Sequence, residues 1–203
     1  MNNTSTLHLF AGGTASGKTT IAKEVNDYLS NKGINTLLIS QDDYTICNLT
    51  DVNIKDVANY DFDKPYAIDT KHLFSDITNL LNKQEVLLPK FYFGDKPKEY
   101  NVTKSGTPDV ILLEGTFVLY YEYLTYIAKN KIFIDVDEKI RLDRRLQRDV
   151  VERNIPEEKV LDRFYKFVRK SHDNFIQPSI ENANYVIKNN VYNIEDLIKI
   201  ILN

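Results

Sequence analysis

The run Gly12-Gly13-Thr14-Ala15-Ser16-Gly17-Lys18-Thr19 constrains this chain more than any other stretch. It satisfies G-x-x-x-x-G-K-[ST], follows an apolar strand pattern at Leu7–Phe10 and opens a helical one, which is the context the motif requires. Glycines let the backbone curl until its N–H groups converge on phosphate oxygens, and the helix N-terminus adds partial positive charge. The loop, with Thr20 just after it, is expected to cradle the phosphates of a nucleotide. In that arrangement Lys18 bridges the β- and γ-phosphates and the Thr19 hydroxyl ligates Mg²⁺.

The rest of the chain supplies a matching scaffold. Short apolar runs at Leu7–Phe10, Thr36–Ile39, Val110–Leu113 and Lys131–Val136, with a weaker one at Tyr185–Ile187, read as strands of a mostly parallel five-stranded sheet. Helical patterns at Lys18–Asn31, Thr70–Leu81, Val118–Ala128, Glu138–Glu152, Glu157–His172 and Ile194–Leu202 alternate with them, giving an α/β fold with right-handed crossovers. Asp69 is expected to cap the second helix and Gly33 to end the first. No linker divides the 203 residues, so one domain is expected over 1–203. Two insertions interrupt the rhythm: a polar loop at about 41–68 and a hairpin at about 85–104 turning at Gly94–Pro97. Lys+Arg 26 against Asp+Glu 29 leaves a net charge of −3, which disfavours nucleic acid and anionic membranes as partners. The single cysteine, Cys47, excludes an internal disulfide framework; with no signal-peptide pattern, a cytoplasmic protein is expected.

Three further features narrow the chemistry. The apolar strand Val110–Leu113 ends in Glu114-Gly115, the form of an acidic strand beside a phosphate loop, so Glu114 is a candidate Mg²⁺ partner. Asp42, in Ser40-Gln41-Asp42-Asp43-Tyr44 directly after the second strand, is placed where a general base could reach a bound alcohol. Asp61 and Asp63 read as turn or cap residues that could also meet sugar hydroxyls. A guanine-reading Asn-Lys-x-Asp run and an Asp-x-x-Gly are both missing, which weighs against a GTPase switch and leaves a kinase ahead. All seven arginines fall between Arg141 and Arg169. At helical periodicity Arg141, Arg144, Arg145 and Arg148 form one stripe, with Leu142, Leu146 and Val150 on the side expected to face the body. Such a stripe reads as a phosphate lid, because arginines closing on a transferring phosphoryl group stabilise its charge and exclude water.

The whole constellation resembles the uridine kinase family, within the phosphoribulokinase/uridine kinase group. Gly12–Ala22 is close to its phosphate loop, Ser40–Tyr44 to its S-Q-D-S-F-Y segment, and Asn59–Asp69 to its Y-N-F-D-H-P-D-A-F-D run. Leu113-Glu114-Gly115 matches F-E-G, and Phe133–Asp149 resembles its strand-plus-lid stretch. The resemblance implies an ATP- and Mg²⁺-dependent kinase phosphorylating the 5'-hydroxyl of a nucleoside such as uridine or cytidine, with a homo-oligomer as one assembly. It implies Asp42 as catalytic base, aided by Lys18 and Arg148, and a lid at about 138–156 in which Arg145 and Arg148 meet donor phosphates. Asp42, Asp63, Phe91, Lys96, Arg153 and Arg163 would line the acceptor site, with Asp63 on the ribose.

Departures cluster in that acceptor site. The family's pyrimidine-holding tyrosine and histidine are Phe91 and Lys96 here, a glutamine is Arg163, the second arginine of E-R-G-R is Ile155, and the tyrosine after S-Q-D-S-F is Thr45. A different riboside or a sugar phosphate is therefore an alternative acceptor, and a non-catalytic ATP-binding protein a second alternative.

Overall fold

The computed structural model describes residues 4–46, 61–91 and 99–203, with backbone alone for 99–102. Strand β1 (Thr6–Gly12) is buried from Leu7 onward, as a strand covered on both faces must be. Helix α1 (Lys18–Asn31) follows, then β2 (Thr36–Ser40), α2 (Thr70–Leu81), the strand pair β3 (Leu87–Lys90) and β4 (Glu99–Lys104), and β5 (Val110–Gly115). After them come α3 (Glu122–Ile127), β6 (Asn130–Asp135), α4 (Glu138–Leu146), α5 (Glu157–Arg163), β7 (Tyr185–Lys188) and α6 (Ile194–Leu202). The main sheet has the order β2-β5-β1-β6-β7 with every pairing parallel, while β3 and β4 form a separate antiparallel pair.

The alternation of strand side chains splits the core in two. Leu7, Leu9, Ile111 and Leu113 point to one face; Phe10, Leu112, Ile132 and Ile134 point to the other, onto α1 and α6. Ile21, Val25 and Leu29 recur every four residues on α1 and are fully buried there, each stabilising the fold by roughly 1.5–3 kcal/mol relative to exposure. Register then decides where chemistry can occur. Ser40 on β2 and Phe10 on β1 both pair with Glu114 on β5, so the carboxyl ends of the three strands form one level edge.

Two caps match expectation. The Asp69 side chain accepts the His72 N–H at 3.0 Å, and Gly33 adopts φ 78 just past α1. The helix expected at Val118–Ala128 is shorter: Val118 and Leu119 are buried in a turn closed by Tyr120 N–H on the Phe117 carbonyl, and the helix begins at Glu122. Burial of those two side chains outweighed their helical spacing. The long helices after β6 also differ from ideal. α4 continues through a π-type turn, Gln147–Glu152, and α5 through π-type turns Phe164–Val168 and His172–Ile176. Such widened turns re-aim side chains and are frequent at functional sites. No helix of the described residues is long and apolar enough to cross a membrane.

Candidate active site

The phosphate loop leaves β1 at Gly12 and enters α1 at Lys18. Gly17 sits at φ 93, which an L side chain rarely adopts, and a Cβ there would lie 2.5 Å from Asn190 Nδ2. That amide donates to the Ser16 carbonyl at 3.0 Å, while its Oδ1 accepts from Arg144 Nη1 at 2.9 Å. The turn after β7 thus clamps the loop from behind, a contact across 174 residues that no local pattern reveals.

Glu114 is the hub of the level edge. Only 3% exposed, it accepts the Thr19 hydroxyl at 3.0 Å and the Ser40 hydroxyl at 2.7 Å. Burial raises its pKa; Lys18 pulls it down, Asp42 pushes it up, and the two hydroxyls lower it. Gly115 is needed because the Gln41 side chain packs directly on its Cα and accepts the Phe117 N–H at 3.0 Å. Gln41 is therefore a spacer between β2 and β5 that holds the neighbouring Asp42 at the rim. Asp42 itself is exposed, in a short 3₁₀ turn (Gln41–Tyr44), and close enough to perturb both Glu114 and Arg153. Lys18, Thr19, Glu114 and Asp42 are thus brought together as the sequence suggests, with Ser40 and Gln41 added. Thr20 follows at the exposed start of α1.

The arginine segment packs differently from the expected arrangement. Leu142, Leu146 and Val150 are only half-buried, whereas Arg141, Arg145 and Asp149, spaced by four, form the buried stripe. The reason is what lies beneath: α4 rests on the polar phosphate loop rather than on apolar core, and Arg145 Nη1 donates to the Thr14 hydroxyl at 3.0 Å. Asp149, 2% exposed, gathers three guanidinium groups. Arg148 Nε approaches at 2.8 Å and Arg153 Nη1 at 3.0 Å, while Arg145 Nε lies 3.2 Å away without hydrogen-bond alignment. Arg145-Asp149-Arg153 at successive fours is the sequence signal of this cluster. Arg169, unexplained by sequence, pairs with Glu138 at 3.1 Å.

On the acceptor side, Asp63 and Arg163 are joined by an ion pair at 3.0 Å, and the guanidinium sits 5.9 Å from the Phe62 ring and 5.7 Å from that of Phe167. Asp61 serves the turn instead, accepting the Asp63 N–H at 3.1 Å. The Phe91 N–H donates to Asp43 Oδ1 at 3.1 Å and Lys90 Nζ lies 3.1 Å from the same carboxylate, so the strand pair hangs on the residue beside Asp42. A cleft of about 180 Å³ lined by Asp43, Tyr44, Pro89 and Lys90 follows that seam. Thr45 bonds back to the Asp42 carbonyl at 2.8 Å, and Ile155 is half-buried. Lys96 and the Gly94–Pro97 turn lie outside the described residues.

Comparison with known proteins fits this geometry. The model of the phosphoribulokinase/uridine kinase family matches residues 9–193. Uridine kinase-like protein 5 of Arabidopsis thaliana is 38% identical over 181 residues, covering 87% of this chain and 37% of that protein. The uridine kinase of Halalkalibacterium halodurans is 35% identical over 177 residues, covering 87% of this chain and 82% of that one. The chain spans little more than a third of the plant relatives' length. Among solved structures, phosphoribulokinase from Rhodobacter spheroides superposes with a TM-score of 0.68 at 14% identity, covering 93% of this chain and 71% of that one, which shows a shared P-loop kinase fold. With a phosphate loop, a buried acidic strand end and an arginine segment seated on the loop, the chain belongs to the phosphoribulokinase/uridine kinase family.

Proposed function

We propose that this protein transfers the γ-phosphoryl group of ATP to the 5'-hydroxyl of a uridine- or cytidine-like nucleoside. The observation that carries the reading is the level edge. Glu114, Thr19, Ser40 and Lys18 meet there, and Asp42 stands on the adjoining turn where an alcohol must arrive. Lys18 and the loop amides bind the β- and γ-phosphates, and the arginines of α4 and its extension cover them. Asp42 accepts the proton of the attacking hydroxyl as the new P–O bond forms and the bond to the β-phosphate oxygen breaks. Asp63 orients the sugar, with Arg163 beside it and Phe91 supplying an apolar wall.

The donor set fits Mg²⁺. Thr19 Oγ1 and the Glu114 carboxylate are hard oxygen ligands, and no group of three or more His, Cys, Asp or Glu side chains among the described residues forms a closed protein cage. The ion would draw its remaining ligands from phosphates and water, and when bound it neutralises charge developing on the transferred group. A panel of nucleosides and sugars with coupled ADP detection tests the assignment. Uridine or cytidine is expected to give the highest kcat/KM; turnover of uridine below a hundredth of the best alternative would overturn the acceptor.

A further inference from the structure

Six of the seven arginines have partners that account for them: Asp149 for three, Asp63 for Arg163, Glu138 for Arg169 and Asn190 for Arg144. Arg141 does not. It is 3% exposed, its one hydrogen bond among the described residues runs from Nε to the Val136 carbonyl at 2.9 Å, and its Nη1 is buried without a partner. Glu138, Asp137, Asp173 and Asp135 influence it only from a distance.

The location of that free nitrogen is specific. A Cβ placed on Gly13 would lie 2.8 Å from Arg141 Nη1 and 2.9 Å from His172 Nδ1, so both groups press on the phosphate loop. His172 is 8% exposed and its Nδ1 is also unpartnered. Burial first, and Arg141 second, push its pKa down to about 4, against the opposing pull of Asp173, Gln177 and Asp135. The imidazole is thus neutral at physiological pH and offers the guanidinium no counter-charge. A buried cation without a bonded anion is costly by several kcal/mol and persists where something else compensates it. Among the described residues, the feature beside Arg141 shaped to receive negative charge is the loop.

We infer that Arg141, braced by His172, is a positioning residue for the nucleotide donor, a buried cation beside Gly13 whose counter-charge is the phosphate chain held in the loop. This rests on the reading of residues 12–19 as a triphosphate site. It assigns Arg141 a role distinct from Arg145, Arg148 and Arg153, which Asp149 already partly neutralises.

Calorimetric titration and thermal melting of the full chain test it, with wild type, Arg141→Met and Arg141→Lys against ATP, inorganic tripolyphosphate and adenosine. Arg141→Met is expected to keep or raise the ligand-free Tm, because a buried charge with no bonded carboxylate is removed. The same variant is expected to weaken ATP and tripolyphosphate binding by roughly 10–100-fold, leaving adenosine unchanged. Arg141→Lys should recover part of the loss. Undiminished tripolyphosphate affinity in Arg141→Met, or an equal loss for adenosine, overturns the inference. Should Arg141→Met not fold, Arg141→Gln takes its place, since an amide can still donate to the Val136 carbonyl. A wild-type protein that binds neither ATP nor tripolyphosphate refutes the nucleotide reading itself, a different failure from a variant that binds as well as wild type.

Discussion

The proposed donor and acceptor ends of this site are built by different means. At the donor end several polar groups are tied together: Glu114 to α1 and β2, Asn190 to the loop and α4, Asp149 to three arginines. Those groups are largely buried, so their geometry is fixed before any ligand arrives, and preorganised charge is what phosphoryl transfer needs. At the acceptor end the principal pair, Asp63 and Arg163, is partly exposed and satisfies itself, while the strand pair hangs on Asp43. The second region can be rewritten with little cost to the buried contacts of the first, because its own principal pair is partly exposed. The same contrast runs through the resemblance read from sequence, whose departures fall at 91, 96, 155 and 163.

The sharpest test of this division is Asp42→Asn, at the boundary. The side chain is exposed and carries no buried contact, so the fold should be unaffected. Loss of a general base lowers kcat by roughly 10²–10⁴-fold with ATP affinity near wild type. A variant with full kcat removes Asp42 from the chemistry and breaks the boundary as drawn.

Glu114→Gln ranks next and tests the donor end through pH. Burial holds the Glu114 carboxyl above its ordinary range. The folded chain therefore binds this proton more tightly than the unfolded chain, and metal-free stability falls as pH rises from the ordinary glutamate value through the raised one. Mg²⁺ requires the carboxylate, so its apparent affinity rises over that same window. Gln should flatten both profiles, keep the Thr19 and Ser40 contacts in part, and weaken Mg²⁺ activation by roughly 10–100-fold. Melting curves without metal and Mg²⁺ titrations of activity, each across pH, read the two effects. Unchanged Mg²⁺ dependence would move the metal site elsewhere.

The two ends also differed in how much of them was legible in sequence. Strand order could not be read, but the strands themselves could, since buried parallel strands announce themselves as apolar runs. Lys18 and Thr19 were legible from the phosphate-loop motif, Glu114 and Asp42 because they sit at or just after a strand end, and strand ends converge by topology. Asn190 and Asp43 were not, since their partners lie 46 to 174 residues away, and Arg141 was legible as part of the arginine stripe but not in its place against Gly13. The arginine segment was half legible: its helical periodicity was right, but which face turned inward depended on a polar loop beneath it. An apolar-in rule assigns Leu142 and Leu146 to the body and fails where the underlying surface is itself charged.

Arg163→Gln carries the smallest expected effect and asks most directly whether the ends are separable. The pair with Asp63 has side chains 33% and 27% exposed, so breaking it should cost at most about 1 kcal/mol of stability. Removing the guanidinium releases the Asp63 carboxylate and takes away a fork 5.9 Å from Phe62, both on the acceptor side. Acceptor KM should then shift by roughly tenfold, the scale of one polar contact, while ATP affinity stays within error. Arg163 does enter the electrostatics of Arg145, which touches Thr14, so the protein contains a path by which the ends could communicate. Asp63 acts on Arg145 with the opposite sign and ahead of Arg163, so that path mixes attraction with repulsion, and salt screens its solvent-exposed part beyond about 10 Å. If the variant changes ATP affinity in step with acceptor KM, and added salt abolishes the coupling, the charges carry a signal between the ends and the division drawn above gives way to a single coupled site.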